Sequence, residues 1–303
     1  MTTTKFAYVQ IGAKDYKRLA DFYIKALGFT LSANQEWLCG KEGICLSAPG
    51  YAQGDAPVFG FVPAVNGETA AINDAGFAHT CFETNDVKAA VRQLIKCGGS
   101  VHSTMKSPEI HPCVYCKDPE GNVVEFHIPF PSGKGVGELL NTASCLLGLK
   151  PEKGMRAGNA KDALKFIHVN IICADWQKLC NFYNTVFQCS NIGKLKDHQG
   201  GYKEQVIGVP NVHVVGQHIL LPGFEESYPT LEIFTYSVPG RSVPCDETAL
   251  GINCIGFACD NAENTAQAMV EAGGCINDTK DGYILAGDIQ NGRIMLRKKN
   301  TFN

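Results

Sequence analysis

The sequence predicts an α+β fold of four βαβββ modules. Three observations carry that expectation. The chain has 303 residues, a length that suits two domains better than one. Lys5-Phe-Ala-Tyr-Val-Gln-Ile11 and Asp15-Tyr-Lys-Arg-Leu-Ala-Asp-Phe-Tyr23 recur as Lys165-Phe-Ile-His-Val-Asn-Ile171 and Asp175-Trp-Gln-Lys-Leu-Cys-Asn-Phe-Tyr183, at a constant offset of 160. Within each half the apolar period changes from the two of a strand to the 3.6 of a helix, and this happens twice.

Module 1, residues 5–63, opens with an alternating strand over 5–11. An amphipathic helix through Leu19, Phe22, Tyr23 and Leu27 follows, then strands near 30–32, 43–47 and 58–62. Module 2, residues 76–130, opens with Gly76-Phe-Ala-His-Thr-Cys-Phe82. Its helix, 87–97, carries Val91, Leu94 and Ile95 and stops at Gly98-Gly99, the residue type that ends helices in the left-handed region. Strands follow near 100–103, 113–117 and 123–128. The last two are joined by Asp118-Pro-Glu-Gly-Asn122, which has turn residues in turn order. Module 3, residues 165–238, repeats module 1. Module 4, residues 251–298, repeats module 2, with a helix over 262–272 closed by Gly273-Gly274 and a turn at Asp288-Ile-Gln-Asn-Gly292. The reading is of one domain over 1–131, a Gly- and Lys-rich linker over 132–162 with a short helix near 136–149, and a second domain over 163–303.

Composition excludes several functions. The chain is 45% hydrophobic and carries a formal net charge of −3, so it can build cores and has no electrostatic case for nucleic acid or an anionic membrane. No apolar run reaches the ~18 residues of a membrane span. Met1 to Phe6 lacks a signal-peptide core. The 14 cysteines lie mostly among apolar residues, and Cys113 and Cys116 have no partner pair with zinc-finger spacing. These features predict reduced thiols in the cytoplasm and no nucleic-acid or membrane partner.

The four modules, Phe22-Tyr23 with Leu27-Gly28-Phe29, Asp118-Pro-Glu-Gly-Asn-Val-Val-Glu125, Leu231-Glu232-Ile233, and the strands through His79 and His168 resemble the vicinal oxygen chelate superfamily. It includes glyoxalase I, bleomycin resistance proteins, methylmalonyl-CoA epimerase and extradiol dioxygenases. The resemblance implies two glyoxalase-like domains with curved sheets. It also implies a divalent metal held by the first and last strands of each module. The matching positions are Tyr8 and Gly60, His79 and Glu125, His168 and Glu232, and Cys254 and Met295.

Modules 2 and 3 therefore keep both family ligands, and modules 1 and 4 keep neither. If modules pair 2 with 3 and 1 with 4, one cup holds His79, Glu125, His168 and Glu232 and the other holds none. If they pair in tandem, each cup has half a site, with Cys254 as a soft third ligand beside His168 and Glu232. The first arrangement is favoured because it joins one module of each type. It also leaves the 1–4 cup as a candidate metal-free binding pocket. His127, two residues beyond Glu125, faces the same side of its strand, and Cys81, Asn170 and Phe234 hold equivalent positions as pocket residues. His102, His111, His198, His213 and His218 match no ligand position and read as surface or strand residues.

Two histidines and two glutamates suit one divalent ion, Ni, Co, Zn, Mn or Fe. The family chemistry then implies an isomerase, epimerase or lyase acting on a small-molecule substrate. A Lewis acid binds vicinal oxygens, and Glu125 or Glu232 moves a proton next to a carbonyl. The alternatives are an extradiol-type dioxygenase using ferrous iron and a metal-free binding or resistance protein. The resemblance suits either a monomer, as a fused pseudo-dimer, or a homodimer.

Overall fold

A computed structural model of the chain describes residues 3–52, 54–129, 164–224, 228–242 and 246–299; the linker and its expected helix lie outside them. Module 1 comprises β1 (Thr4–Ala13), α1 (Tyr16–Leu27), β2 (Thr30–Leu31), β3 (Ile44–Ser47) and β4 (Val58–Pro63). Module 2 comprises β5 (Gly76–Thr84), α2 (Val87–Lys96), β6 (Ser100–Val101), β7 (Cys113–Lys117) and β8 (Val123–His127). Module 3 comprises β9 (Leu164–Ile172), α3 (Trp176–Phe187), β10 (Ser190–His198), α4 (Gly201–Ile207), β11 (Val214–Leu220) and β12 (Thr230–Tyr236). Module 4 comprises β13 (Gly251–Cys259), α5 (Ala262–Glu271), β14 (Cys275–Lys280), β15 (Tyr283–Gly287) and β16 (Arg293–Lys298).

The same local chemistry starts each module's long helix. Asp15, Asp86, Asp175 and Asn261 are N-caps, each accepting from the backbone N–H three residues on. That satisfies one of the donors a helix start leaves open. Module 3 adds α4, which the repeat of module 1 did not predict; Gly200 precedes it and Gly208 ends it in the left-handed region at φ 78°.

The strands form two eight-stranded sheets. One runs β14-β15-β16-β13-β1-β4-β3-β2 and the other β10-β11-β12-β9-β5-β8-β7-β6. Each combines a module from either half of the chain: 4 with 1, and 3 with 2. Antiparallel seams join them, β1 with β13 and β5 with β9. Within every module the first strand is parallel to the last. This overturns the tandem alternative, because Cys254 lies in a different sheet from His168 and Glu232.

Tandem modules still hold to one another, through their helices and turns. The Tyr23 hydroxyl donates to Asp118 Oδ2 at 3.3 Å, and the Tyr183 hydroxyl donates to Asp288 Oδ2 at 2.9 Å. Asp118 also orders its own turn by accepting from the backbone N–H groups of Glu120 and Asn122. One large core lies between the outer sheet faces and the helices and draws on all four modules. Phe59 packs edge-on to Phe166, and Phe187 stacks on Phe257. Each sheet's inner face has a separate, smaller apolar cluster.

Candidate metal centre

Register decides which side chains meet inside the 2–3 cup. Across the seam Cys81 stands opposite His168 and His79 opposite Asn170. Glu125 stands beside Cys81, and Glu232 beside Asn170. Alternation along each strand then turns His79, His168, Glu125 and Glu232 to one side. One ligand atom from each lies within 4.8 Å of the others. His79 Nε2 is 3.1 Å from Glu125 Oε2, 3.4 Å from Glu232 Oε2 and 3.4 Å from His168 Nε2. His168 Nε2 is 3.2 Å from Glu125 Oε2 and 3.4 Å from Glu232 Oε2. All four residues are at most 7% exposed.

These spacings fit a cation. Bonds of about 2.1 Å separate donors by roughly 3.0 Å at right angles and 3.4 Å in a tetrahedron. The donor set has the hard oxygens and imidazoles of a divalent-metal centre. Nδ1 of both histidines is buried without a hydrogen-bond partner, so packing orients the rings. Tyr115 meets His79 edge-on, and His218 meets His168 edge-on.

Burial lowers the His79 pKa, but hydrogen bonds to Glu125 and Glu232 outweigh it and raise the value to about 9. Burial raises the two carboxylates, yet hydrogen bonds and attraction from His168, His79 and, for Glu232, His218 hold both well below the usual range. Without a cation, a protonated imidazole therefore bridges two carboxylates.

The outer oxygens of the two glutamates are held differently. Glu232 Oε1 lies 3.2 Å from His218 Nε2, and His218 Nδ1 lies 3.1 Å from Thr230 Oγ1. Asn170 Nδ2 donates to Glu232 Oε2 at 2.9 Å. Glu125 Oε1 receives the Cys113 thiol, at 3.1 Å, and Cys81 also hydrogen-bonds this carboxylate; both thiols are weak donors. His218 does lie on a strand, as expected, but it turns into the cup opposite Glu232. The signal that would have found it is its place in the β11–β12 ladder.

His127 is buried beyond Glu125, and burial lowers its pKa to about 4 against attraction from Glu125. Cys81 is buried beside Glu125, and burial raises its thiol pKa. Phe234 belongs to the cup's apolar cluster with Tyr115, Ile172, Val214 and Tyr236. Val206 and Ile207 of α4 join that cluster and cover it. Ser103 Oγ donates to the Val206 carbonyl at 2.6 Å, and Thr104 N donates to the Gln205 carbonyl at 2.9 Å.

The 1–4 cup is filled by side chains, which corrects its reading as an open pocket. Tyr8 stacks on Trp37 with centroids 5.0 Å apart. Its hydroxyl lies over Gly60, where a Cβ would come within 2.0 Å of it. Cys254, Met295, Tyr283 and Leu285 complete a buried apolar cluster. Gln10 Nε2 donates to Asn253 Oδ1 at 2.8 Å beside it.

Among the described residues no helix is long and apolar enough to cross a membrane. Residues 5–126 match the model of the Glyoxalase/Bleomycin resistance protein/Dioxygenase superfamily. No curated protein matches the chain in sequence. Among solved structures, a single-substitution variant of glyoxalase I from Zea mays is 12% identical, with a TM-score of 0.63 over 98% of this chain and 93% of that one. A candidate dioxygenase from Bacillus subtilis is 13% identical, with a TM-score of 0.59 over 98% of this chain and 86% of its own. At these identities the likeness establishes the fold.

Proposed function

We infer, from the match of residues 5–126 to the Glyoxalase/Bleomycin resistance protein/Dioxygenase superfamily model and from the repeat of that module plan in the second half, that the chain is a metal-dependent enzyme of glyoxalase I-like chemistry. It moves a proton next to a carbonyl on a small substrate with vicinal oxygens, as an isomerase, epimerase or lyase. The observation that supports this reading is the cluster of two buried imidazoles and two buried carboxylates from four adjacent strands. His79, Glu125, His168 and Glu232 would hold one divalent ion, of Ni, Co, Zn, Mn or Fe. When bound, it supplies Lewis-acid stabilisation of the charge that develops on oxygen as a carbon acid loses its proton.

The chain's own residues supply the rest. His79 and His168 present Nε2 to the centre. Glu232, tied by His218 and Asn170, stays in place. Glu125, whose other partners beyond the two histidines are the weakly donating thiols of Cys113 and Cys81, is freer to swing and takes the proton. In the apolar cup a carboxylate freed from its cationic neighbours rises in pKa by desolvation, which makes it a better base. Tyr115, Phe234 and Tyr236 exclude water from the reacting carbon. The second glutamate argues for proton transfer over dioxygen chemistry, because it fills a position that oxygen would need. The free thiols of the described residues agree with a cytoplasmic location.

The test is metal-loaded protein in deuterated water with 2-oxo thiohemiacetals, acyl-CoA epimers and catechols. Deuterium should enter next to the carbonyl of one class with no oxygen uptake. Stoichiometric oxygen consumption with a catechol would transfer the protein to the ring-cleaving dioxygenases. A chain that retains no metal would be a binding protein.

A further inference from the structure

The two halves of the metal cup are alike at the cluster and unlike one step beyond it. His79 corresponds to His168 and Glu125 to Glu232. The next residue on the same face is His127 after Glu125 and Phe234 after Glu232. Phe234 has Ile172 beside it on one neighbouring strand and Gly216 on the other. His127 has Glu83 and Cys113 in the same two places. One flank is thus Phe, Ile and Gly, and its counterpart is His, Glu and Cys. His127, Glu83, Phe234 and Ile172 are all buried.

We propose that the cup binds an unsymmetrical α-oxygenated carbonyl compound in one orientation, with an aryl or branched-alkyl arm against Phe234 and Ile172 and a hydroxyl or carbonyl arm against His127 and Cys113. This rests on the metal-dependent reading above and names the substrate class it takes. The apolar flank is continuous with Tyr236, Val214 and the α4 residues Val206 and Ile207, so an apolar arm there is shielded from water. A hydroxyl on that side would lose its water partners without replacement. The opposite flank of His127, Glu83 and Cys113 gives an apolar arm no Phe or Ile surface to pack on. The two glutamates are equivalent by position on their strands, and these flanks tell one end of a substrate from the other. A fixed orientation presents the same face of the reacting carbon to Glu125 in every turnover, so proton transfer is stereospecific.

The experiment titrates the Co2+-loaded full chain with acetohydroxamate, benzohydroxamate and glycolohydroxamate, reading the cobalt visible spectrum. All three offer vicinal oxygens and differ only in the arm. Benzohydroxamate should bind at least about tenfold tighter than acetohydroxamate, and glycolohydroxamate at least about threefold tighter. Phe234→Ser should erase the phenyl preference and leave the hydroxyl preference. His127→Leu should do the reverse. Acetohydroxamate affinity reports whether each variant keeps its metal centre. Should Phe234→Ser fail to take up Co2+, Phe234→Leu and the ranking in the unaltered chain decide. Equal affinities for the three probes, or variants that move both preferences together, overturn the oriented substrate and leave the metal reading standing. A chain that takes up no Co2+, or whose cobalt spectrum ignores acetohydroxamate, overturns both.

Discussion

Metal affinity should fall steeply with acidity across a range where ordinary carboxylate sites are indifferent. In the metal-free chain His79 Nε2 lies 3.1 Å from Glu125 Oε2 and 3.4 Å from Glu232 Oε2, and the two carboxylates raise its pKa to about 9. A cation must take the lone pair that the proton occupies, so each ion bound below about pH 9 releases a proton from His79. Affinity then drops tenfold per pH unit. Moving from pH 9 to pH 7 costs a factor of about 100, or about 3 kcal/mol. Above that range the dependence flattens, because the carboxylates are already ionised. The apoprotein changes in the opposite direction. A raised histidine pKa gives stability that is full below the unfolded value of about 6.5 and is lost as pH rises through about 9. The gap in Tm between loaded and metal-free protein should therefore widen toward alkaline pH. The assay is competition for Zn2+ against a calibrated chromophoric chelator from pH 7 to 9.5, with proton release from calorimetry in two buffers. Glu232→Gln removes one of the two carboxylates and should move the break in the curve to lower pH. An affinity that stays constant from pH 7 to 9, with no proton released, would refute the account of His79 as a cation bridging two carboxylates.

Three further outcomes are expected. Elemental analysis should find about one divalent ion per chain, lost on His79→Ala or His168→Ala alone; two equivalent ions would contradict the single cluster. Glu125→Gln should cost turnover by about 100-fold or more while metal content holds, whereas Glu232→Gln, which can keep an acceptor for only one of His218 and Asn170, should weaken metal retention. Solvent-deuterium exchange that persists unchanged in Glu125→Gln would remove that residue as the base. Gly60→Ala places a methyl within 2.0 Å of the Tyr8 hydroxyl and should destabilise the chain by about 1–3 kcal/mol without changing metal affinity. A Tm equal to that of the unaltered chain would show that the 1–4 cup is not tightly filled.

The module plan was legible because its signals are local. A strand start and a helical stripe recur at an offset of 160 between modules 1 and 3, and a Gly-Gly stop recurs in modules 2 and 4; each needs only a few neighbouring residues to be recognised. The four cluster residues were legible because strand alternation fixes their side once the first and last strands are found. His218 was not, because its role depends on standing opposite Glu232, and the connection between β11 and β12, residues 221–229, hides that register. Trp37 was missed for a related reason. It sits in a short 3-10 turn, Glu36–Leu38, with no periodicity, and its burial depends on Tyr8 and Gly256 coming from distant strands. α4 was not expected, because seven residues between Gly200 and Gly208 carry too little helical pattern to register.

The seams between sequence-distant strands also bear on how the chain reaches this state. β1 is synthesised early, yet Ile11 pairs with Ile252, and β5 must wait for β9. During translation both strands offer open, apolar-flanked edges with no partner yet made, a slow and association-prone route. A second nascent copy carries the same complementary edges, so module 2 of one molecule can seat against module 3 of another. Such a domain-swapped pair would rebuild each cup from the same four ligands. Refolding at high protein concentration should therefore yield exchanged dimers with intact metal centres, and dilution before folding should yield chains closed on themselves.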